Sequence, residues 1–542
     1  MNQNPNMNPN ENGQQPSVNA SCRTYIGSVA HSLVRQSKPK PTYCGIECLL
    51  AWFSVALGIL LARAMPVVQH SLGGILTLLM LFALGIFYLK RSKIPLRTAS
   101  ILYAVVAALL SVGLITGANK VLQRLLFTFI LFAFFYWSTV ATAQNDRQAL
   151  KDFRLGTLLY ALFSLPFSAM VYLFSALIHF GEKAERNKKI LHTVGWFFIG
   201  LLAAVIPTAI VLLLLCYDEQ FKILLDKIFS FSFDNVWSWI GDIIFGILIA
   251  HPLFGSLFGA KCEREGQLKP KGKIDEINCH ILPKAMLCTA VTPILIVYII
   301  FFISQWDYYL SAFTKVLPAN LTYATYARSG FFELCWICGI NAFLLLLFNL
   351  LIRKREGGRD IVRSIYSTVI SFFTLILIAT ALSKMLLYIN TYGLTQKRIY
   401  ASWLMLLLAT VFVLVIVWQF TKRLPIFLAI AVSFVVLFGA IAIPDVDGMI
   451  ASYNVDHYLS GDLAEVDVES IGNYGVSAVP ALVELRDELA SREALTDYEK
   501  EILQKADNEL RSIRALDLNS TDDGFFSFNI PRERAKRLLG ES

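Results

Sequence analysis

The chain holds 542 residues, of which 56% are hydrophobic, 13% aromatic and only 16% charged, with a mean hydropathy of +0.57 and a net charge of +8. Soluble domains carry about 25% charged residues, so this composition excludes an ordinary soluble protein and points to an all-α, polytopic transmembrane helical bundle. The basic residues sit in short runs between apolar segments instead of on one face. That pattern argues against a nucleic-acid partner and for the lipid bilayer, whose anionic leaflets and insertion rules favour such runs.

Residues 1–43 are polar, rich at first in Asn, Gln and Pro, and contain no apolar core of a signal peptide. They predict a disordered tail, with the first membrane helix serving as its own uncleaved signal. Arg23, Arg35, Lys38 and Lys40 precede that helix and place the N-terminus in the cytoplasm. Nine cysteines, several inside apolar segments, do not suggest a disulfide scaffold.

Residues 44–443 form the membrane domain. Windows of roughly 20 apolar residues predict spans at 44–64, 71–89, 98–117, 125–144, 155–180, 190–216, 236–259, 285–304, 331–352, 361–388, 399–420 and 426–443. That is about twelve, in a range of about 11–13. From residue 183 onward the basic clusters alternate. Lys183 to Lys189, Lys261 to Lys284, Arg353 to Arg363 and Lys422 with Arg423 outnumber Lys222, Lys227, Lys315, Arg328, Lys397 and Arg398 on the other side. The richer side reads as cytoplasmic, which puts the C-terminal tail outside. Twelve crossings from a cytoplasmic N-terminus would return the tail inside, so one span is miscounted. Segment 155–180, with Pro166 in its middle, is the expected re-entrant or broken one.

Residues 444–542 are charged and patterned as a small helical domain. Thr496 with Glu499 makes a capping box, and Ile502, Leu503, Ala506, Leu510 and Ile513 follow on one face. Val476, Val479, Leu482, Leu485 and Leu489 stripe an earlier helix, so the two predict a hairpin that packs on the membrane body or on a partner.

Three segments, YYLSAFTKVLPANLTYATYARSGFFELC, LLYINTYGLTQKRIYA and DVDGMIASYNVDHYL, resemble the signature segments of a bacterial family of polytopic membrane proteins catalogued as a domain of unknown function. The resemblance covers residues 285–485 best. It implies fold and bacterial inner-membrane origin, not chemistry, and all three segments fall on one side of the bilayer. Their exposed candidates for a partner face are Tyr308, Tyr309, Tyr323, Tyr326, Arg328, Tyr392, Arg398, Asn454 and Asp456. Aromatic crowding suits either an interfacial platform for another envelope or regulatory protein or the ordinary aromatic belt.

A candidate intramembrane polar site comprises Asp242, His251, Glu333, Asn341 and Lys384. Asp242 and His251 share VWSWIGDIIFGILIAHPLFGSLFG, where Pro252 and four glycines could break the helix as secondary transporters do. The plainer reading has His251 bonding a backbone carbonyl and the glycines permitting close packing. Glu333 and Lys384 could form an ion pair. Cys335 and Cys338 of CWIC read as buried small hydrophobes, since a redox C-x-x-C opens a helix after a strand. Neither Cys262, Cys279 and His280 nor Cys44, Glu47 and Cys48 has zinc-site spacing. Asp445, Asp447 and Gly448 lack the later ligands of a calcium loop, so no metal or cofactor is expected. Walker, G-x-G-x-x-G, G-x-S-x-G and H-E-x-x-H motifs are missing. Two functions stay open: a non-enzymatic sensor, scaffold or envelope component, and a secondary transporter centred on Asp242 and His251.

Overall fold

A computed structural model describes residues 45–64, 71–143, 155–178, 207, 211, 233–267, 284–304, 331–351, 361–421, 424–518 and 525–540. Among them the chain is all-α, with no strand. The membrane helices are α1 (Gly45–Ala64), α2 (Leu72–Arg91), α3 (Thr98–Ser111) continued by the short α4 (Gly113–Thr116), and α5 (Lys120–Thr142). A broken segment follows as α6 (Leu155–Leu159), a π-helical turn at Tyr160–Ser164, α7 (Leu165–Ser168) and α8 (Tyr172–Ile178). Then come α9 (Phe233–Arg264), α10 (Lys284–Ser304), α11 (Phe331–Leu351), α12 (Ile361–Tyr392), α13 (Gln396–Phe420) and α14 (Ile426–Ala442). The C-terminal helices are α15 (Val446–Leu459), α16 (Val468–Gly472), α17 (Val479–Ser491), α18 (Asp497–Ile513) and α19 (Ile530–Leu538).

Seven described helices are long and apolar enough to cross a bilayer, or eight if α14 with α15, bent by 58°, is taken as one broken span. The protein is a multi-pass membrane protein. Of the predicted spans, 155–180 is in pieces: the chain breaks at 169–171, and Pro166 stands in the first turn of α7, where a missing N–H is tolerated. Span 190–216, apart from residues 207 and 211, and the tail 1–43 lie outside the described residues. The apolar part of α10 and α11 falls short of a full crossing among the described residues.

Close helix approach organises the first half. Helix α9 lies along α1 and α7, and glycine at each crossing lets backbones touch. A Cβ on Gly58 would stand 2.2 Å from the Gly246 carbonyl oxygen, one on Gly246 2.5 Å from Ile59 Cα, and one on Gly255 2.0 Å from the Pro166 oxygen. Helix α9 runs unbroken through Pro252, so the expected discontinuity is absent. Gly246, Gly255 and Gly259 serve packing against α1 and the broken segment, whereas nothing approaches Gly241. An aromatic core of Phe82, Phe134 and Trp137 fills the space between α2 and α5, with Trp137 Nε1 donating to the Ser100 carbonyl at 3.0 Å. The second half packs α10 to α13 around Leu334, Cys338, Ile378, Ala381 and Phe412. Helix α14 reaches the first half, where Phe434 and Phe438 each meet Phe129 at ring distances of 5.5 Å.

Two ends of the bundle are defined by contacts. The start of α1 meets the end of α9, where Lys261 Nζ lies 2.5 Å from Glu47 Oε1, and Tyr160 of the broken segment donates to Glu263 at 2.9 Å. At the opposite end Thr116 donates to the Ile443 carbonyl, joining the close of α4 to the close of α14. Among the described residues, the start of α1 and the end of α14 therefore lie at opposite ends of the bundle.

In the C-terminal domain, Val479, Leu482, Leu485 and Leu489 of α17 pack on Ile502, Ala506, Leu510 and Ile513 of α18. The capping box is present: Thr496 Oγ1 accepts from Glu499 N and Glu499 Oε2 accepts from Thr496 N at 2.8 Å. The hairpin is roofed by Ala451 and Val455 of α15 and by Ala535 of α19, so its apolar faces close on its own domain.

Candidate functional site

Among the described residues, a dense group of polar contacts lies where the C-terminal helices meet the membrane bundle. Asp445 caps α15, accepting from Gly448 N at 3.3 Å and from Ser477 Oγ at 2.8 Å. Two residues later in the same DVDG stretch, Asp447 turns the other way, into the bundle. Its Oδ1 and Oδ2 accept from Asn119 Nδ2 at 3.1 and 3.0 Å, and Oδ1 also accepts from Gln396 Nε2 at 2.7 Å. The two amides come from separate loops. Asn119 is held because its own Oδ1 caps α5 through Leu122 N at 2.9 Å. Gln396 is the first residue of α13, whose cap is Thr395.

A second clamp lies beside the first. Asn454 of α15 faces the loop at Leu394, donating to its carbonyl at 2.9 Å and accepting from its N–H at 2.6 Å. This requires Gly393: its φ is +77°, and a Cβ there would stand 2.5 Å from Asn454 Oδ1. Arg398 closes the same loop by donating to the Tyr392 carbonyl at 2.9 Å and to the Gly393 carbonyl, with its guanidinium 4.1 Å from the Tyr388 ring centre. A third strut comes from the far end of the chain, where Asn529 Nδ2 donates to the Gly117 carbonyl at 2.8 Å and the Phe528 carbonyl accepts from Leu72 N at 3.0 Å.

Burial sets the electrostatics of this junction. Asp447 is 4% exposed. Loss of water pushes its carboxyl above the ordinary aspartate value, an effect that the Gln396 and Asn119 amides oppose. Burial also raises Asp445 against the pull of Ser477 and Gly448. The Tyr474 phenol is raised first by burial and then by the charge of Asp447.

Within the predicted intramembrane site, the described structure does not bring Asp242 and His251 together. Asp242 and His251 are nine residues apart on the continuous α9, which at about 100° per residue places them on opposite faces. His251 Nδ1 lies 2.6 Å from the Ile247 carbonyl of its own helix, and its ring meets Phe174 at 5.0 Å. Asn341 is fully buried, accepting from Tyr298 OH at 2.8 Å and donating to Thr374 Oγ1 at 2.9 Å. Lys384 is buried on α12, ten residues or about 15 Å beyond Thr374. Glu333 belongs to α11, but its side chain lies outside the described residues, as do Tyr308, Tyr309, Tyr323, Tyr326, Arg328, Cys44, Cys279 and His280. Of the predicted partner face, Tyr392 and Asp456 are exposed, whereas Arg398 and Asn454 are occupied within the junction. Cys338 is a buried free thiol in the core of the second half, and Cys335 is half-buried. Among the described residues no group of side chains could hold a metal ion.

Residues 104–485 match the family described as Domain of unknown function (DUF4153). The chain belongs to this family. The DUF4153 region begins within α3 and ends within α17, so it contains Asn119, Gln396, Asp447 and Asn454, while α1, α2, α18 and α19 lie outside it. No curated protein and no solved structure matches the chain.

Sequence reasoning named Asp447 and Asn454 but missed Asn119 and Gln396, unremarkable amides 328 and 51 residues from Asp447. The available signal was that two resemblance segments, YINTYGLTQKR and DVDGMIASYNVDHYL, fall on one side. Glu47 and Lys261 were likewise missed as a pair, although each is a charge at the same end of an apolar helix.

Proposed function

We propose that this DUF4153 protein is a non-enzymatic sensor or scaffold of the bacterial envelope, in which the membrane bundle presents the C-terminal helical domain on the extracytoplasmic face of the inner membrane. The observation that carries this reading is the junction around Asp447. Three separate loops and the chain's C-terminal strut converge on the domain, and their polar groups are spent on holding it in place. Asp242 and His251, the residues on which a transporter reading would rest, sit on the unbroken α9 and not at a helix break. Orientation follows from charge: Lys90, Arg91, Lys93, Arg97, Lys261 and Arg264 lie at the Glu47 end, the end expected to face the cytoplasm.

Two experiments test the reading. A phosphatase reporter fused after Gly461 is expected to be active and a fluorescent-protein reporter dark; the reverse pattern would overturn the orientation. Photocrosslinking from Tyr392 and Asp456 in intact cells is expected to give a discrete adduct with another envelope protein. Solute flux in proteoliposomes that Asp242→Asn abolishes, with no such adduct, would replace the scaffold reading by a transporter.

A further inference from the structure

The last segment of the chain carries apolar side chains that its own domain does not cover. Phe526 is 62% exposed, Phe528 41%, Ile530 45% and Leu538 44%, while Pro531 and Ala535 on the other side of α19 are buried. On the same outer face stand the exposed Arg534, one turn after Ile530, and Arg537. In contrast, α17 and α18 present Glu484, Asp487, Glu488, Asp497 and Glu501.

The depth of this segment is fixed. Phe528 is bonded through its carbonyl to Leu72 N, the first residue of a membrane span, and Asn529 to Gly117, just past the end of another. Side chains exposed at that level face the boundary between hydrocarbon and headgroups, not bulk water. Aromatic rings with neighbouring arginines are the side chains that this boundary favours, the rings at headgroup depth and the guanidiniums on phosphate.

We infer that the segment from Phe526 to Leu538 is an interfacial anchor, by which the C-terminal domain binds anionic phospholipid in the leaflet at the Asp447 end. Phe526, Phe528 and Ile530 enter the acyl boundary, and Arg534 and Arg537 take the headgroup phosphates. The domain is then held by the membrane as well as by the protein junction, and lipid charge tunes how firmly it sits. This holds whichever side of the membrane that leaflet faces.

The test uses the full chain in nanodiscs of phosphatidylcholine mixed with phosphatidylglycerol. Benzoyl-phenylalanine replaces Phe526 or Ile530, and as control Tyr498, which packs beside Tyr458 at the far end of α15. Irradiation followed by mass spectrometry is expected to give lipid adducts at Phe526 and Ile530 and none at Tyr498. The odds of a phosphatidylglycerol adduct over a phosphatidylcholine adduct, relative to their ratio in the bilayer, should rise roughly fivefold for each arginine engaged. The combined change Arg534→Gln and Arg537→Gln is expected to remove that enrichment while adducts persist. Absence of lipid adducts, or adducts to a second copy of the chain, would overturn the anchor. Adducts in proportion to lipid content in the unaltered chain would overturn the headgroup preference.

Discussion

Charge is buried at both ends of the bundle, and in opposite ways. At one end Glu47, fully buried, meets the full positive charge of Lys261 across α1 and α9, with Tyr88 beneath the ammonium at 5.9 Å. At the other, Asp447 meets only neutral amides, from Asn119 and Gln396. An ion pair inside a bundle locks two helices, because losing either member strands the other's charge in a low-dielectric medium. Neutral donors hold a carboxylate more gently and can tolerate a change in its protonation. The first arrangement suits a permanent membrane core, the second a joint between that core and a separately packed domain.

The comparison breaks most sharply at the pair. Glu47→Ala is expected to lower stability by about 3–5 kcal/mol, read as a fall in melting temperature of the whole bundle in detergent. Replacing both residues together, Glu47→Leu with Lys261→Met, should restore most of the loss. A double variant as damaged as the single one would show that the charges act separately.

At the junction the expected loss is smaller and local. Asp447→Ala leaves the half-buried amides of Asn119 and Gln396 without their acceptor, and because water can reach them the cost is about 1–3 kcal/mol in all. Trypsin should release the C-terminal domain several-fold faster while the melting of the bundle stays put. Equal damage to both regions would dissolve the distinction between core and joint.

Acidity sharpens the contrast further. Burial raises Asp447 and Asp445 above their ordinary 3.8, so the docked state binds protons more tightly than the undocked one. Docking strength from this source is full below 3.8 and lost as pH rises through the raised values. The domain should therefore resist trypsin-like cleavage better at about pH 5 than at about pH 8, provided the protease used is active at both. The Asp447→Asn variant should show a weaker dependence. The smallest effect belongs inside the domain, where Thr496→Ala removes a helix cap worth about 1 kcal/mol and should loosen α18 without moving the junction.

Much of this architecture was legible in the sequence, for physical reasons that differ by region. The spans announce themselves because lipid demands unbroken apolar runs, and the capping box of α18 because three residues of spacing are enough to define it. Pro166 marked the broken segment. The glycines of α9 were visible, but whether they break a helix or admit a neighbour depends on α1 and α7, and only the packed structure decides for admission. Asn119, Gln396 and Asp447 carry no local pattern that links them, since their meeting is fixed by how three spans end at one side. His251 shows the same limit from the other direction: a polar residue at membrane depth that its own helix accommodates, 2.6 Å from the Ile247 carbonyl.

The most direct test of the junction as the joint that carries the C-terminal domain is hydrogen–deuterium exchange on the full chain in nanodiscs, comparing Asp447→Ala with the unaltered protein. Exchange is expected to quicken in residues 393–398 and 445–454 and at the base of the domain, with the facing parts of α1 and α9 unchanged. Undiminished protection in those two segments would contradict the claim and leave the domain held by other contacts.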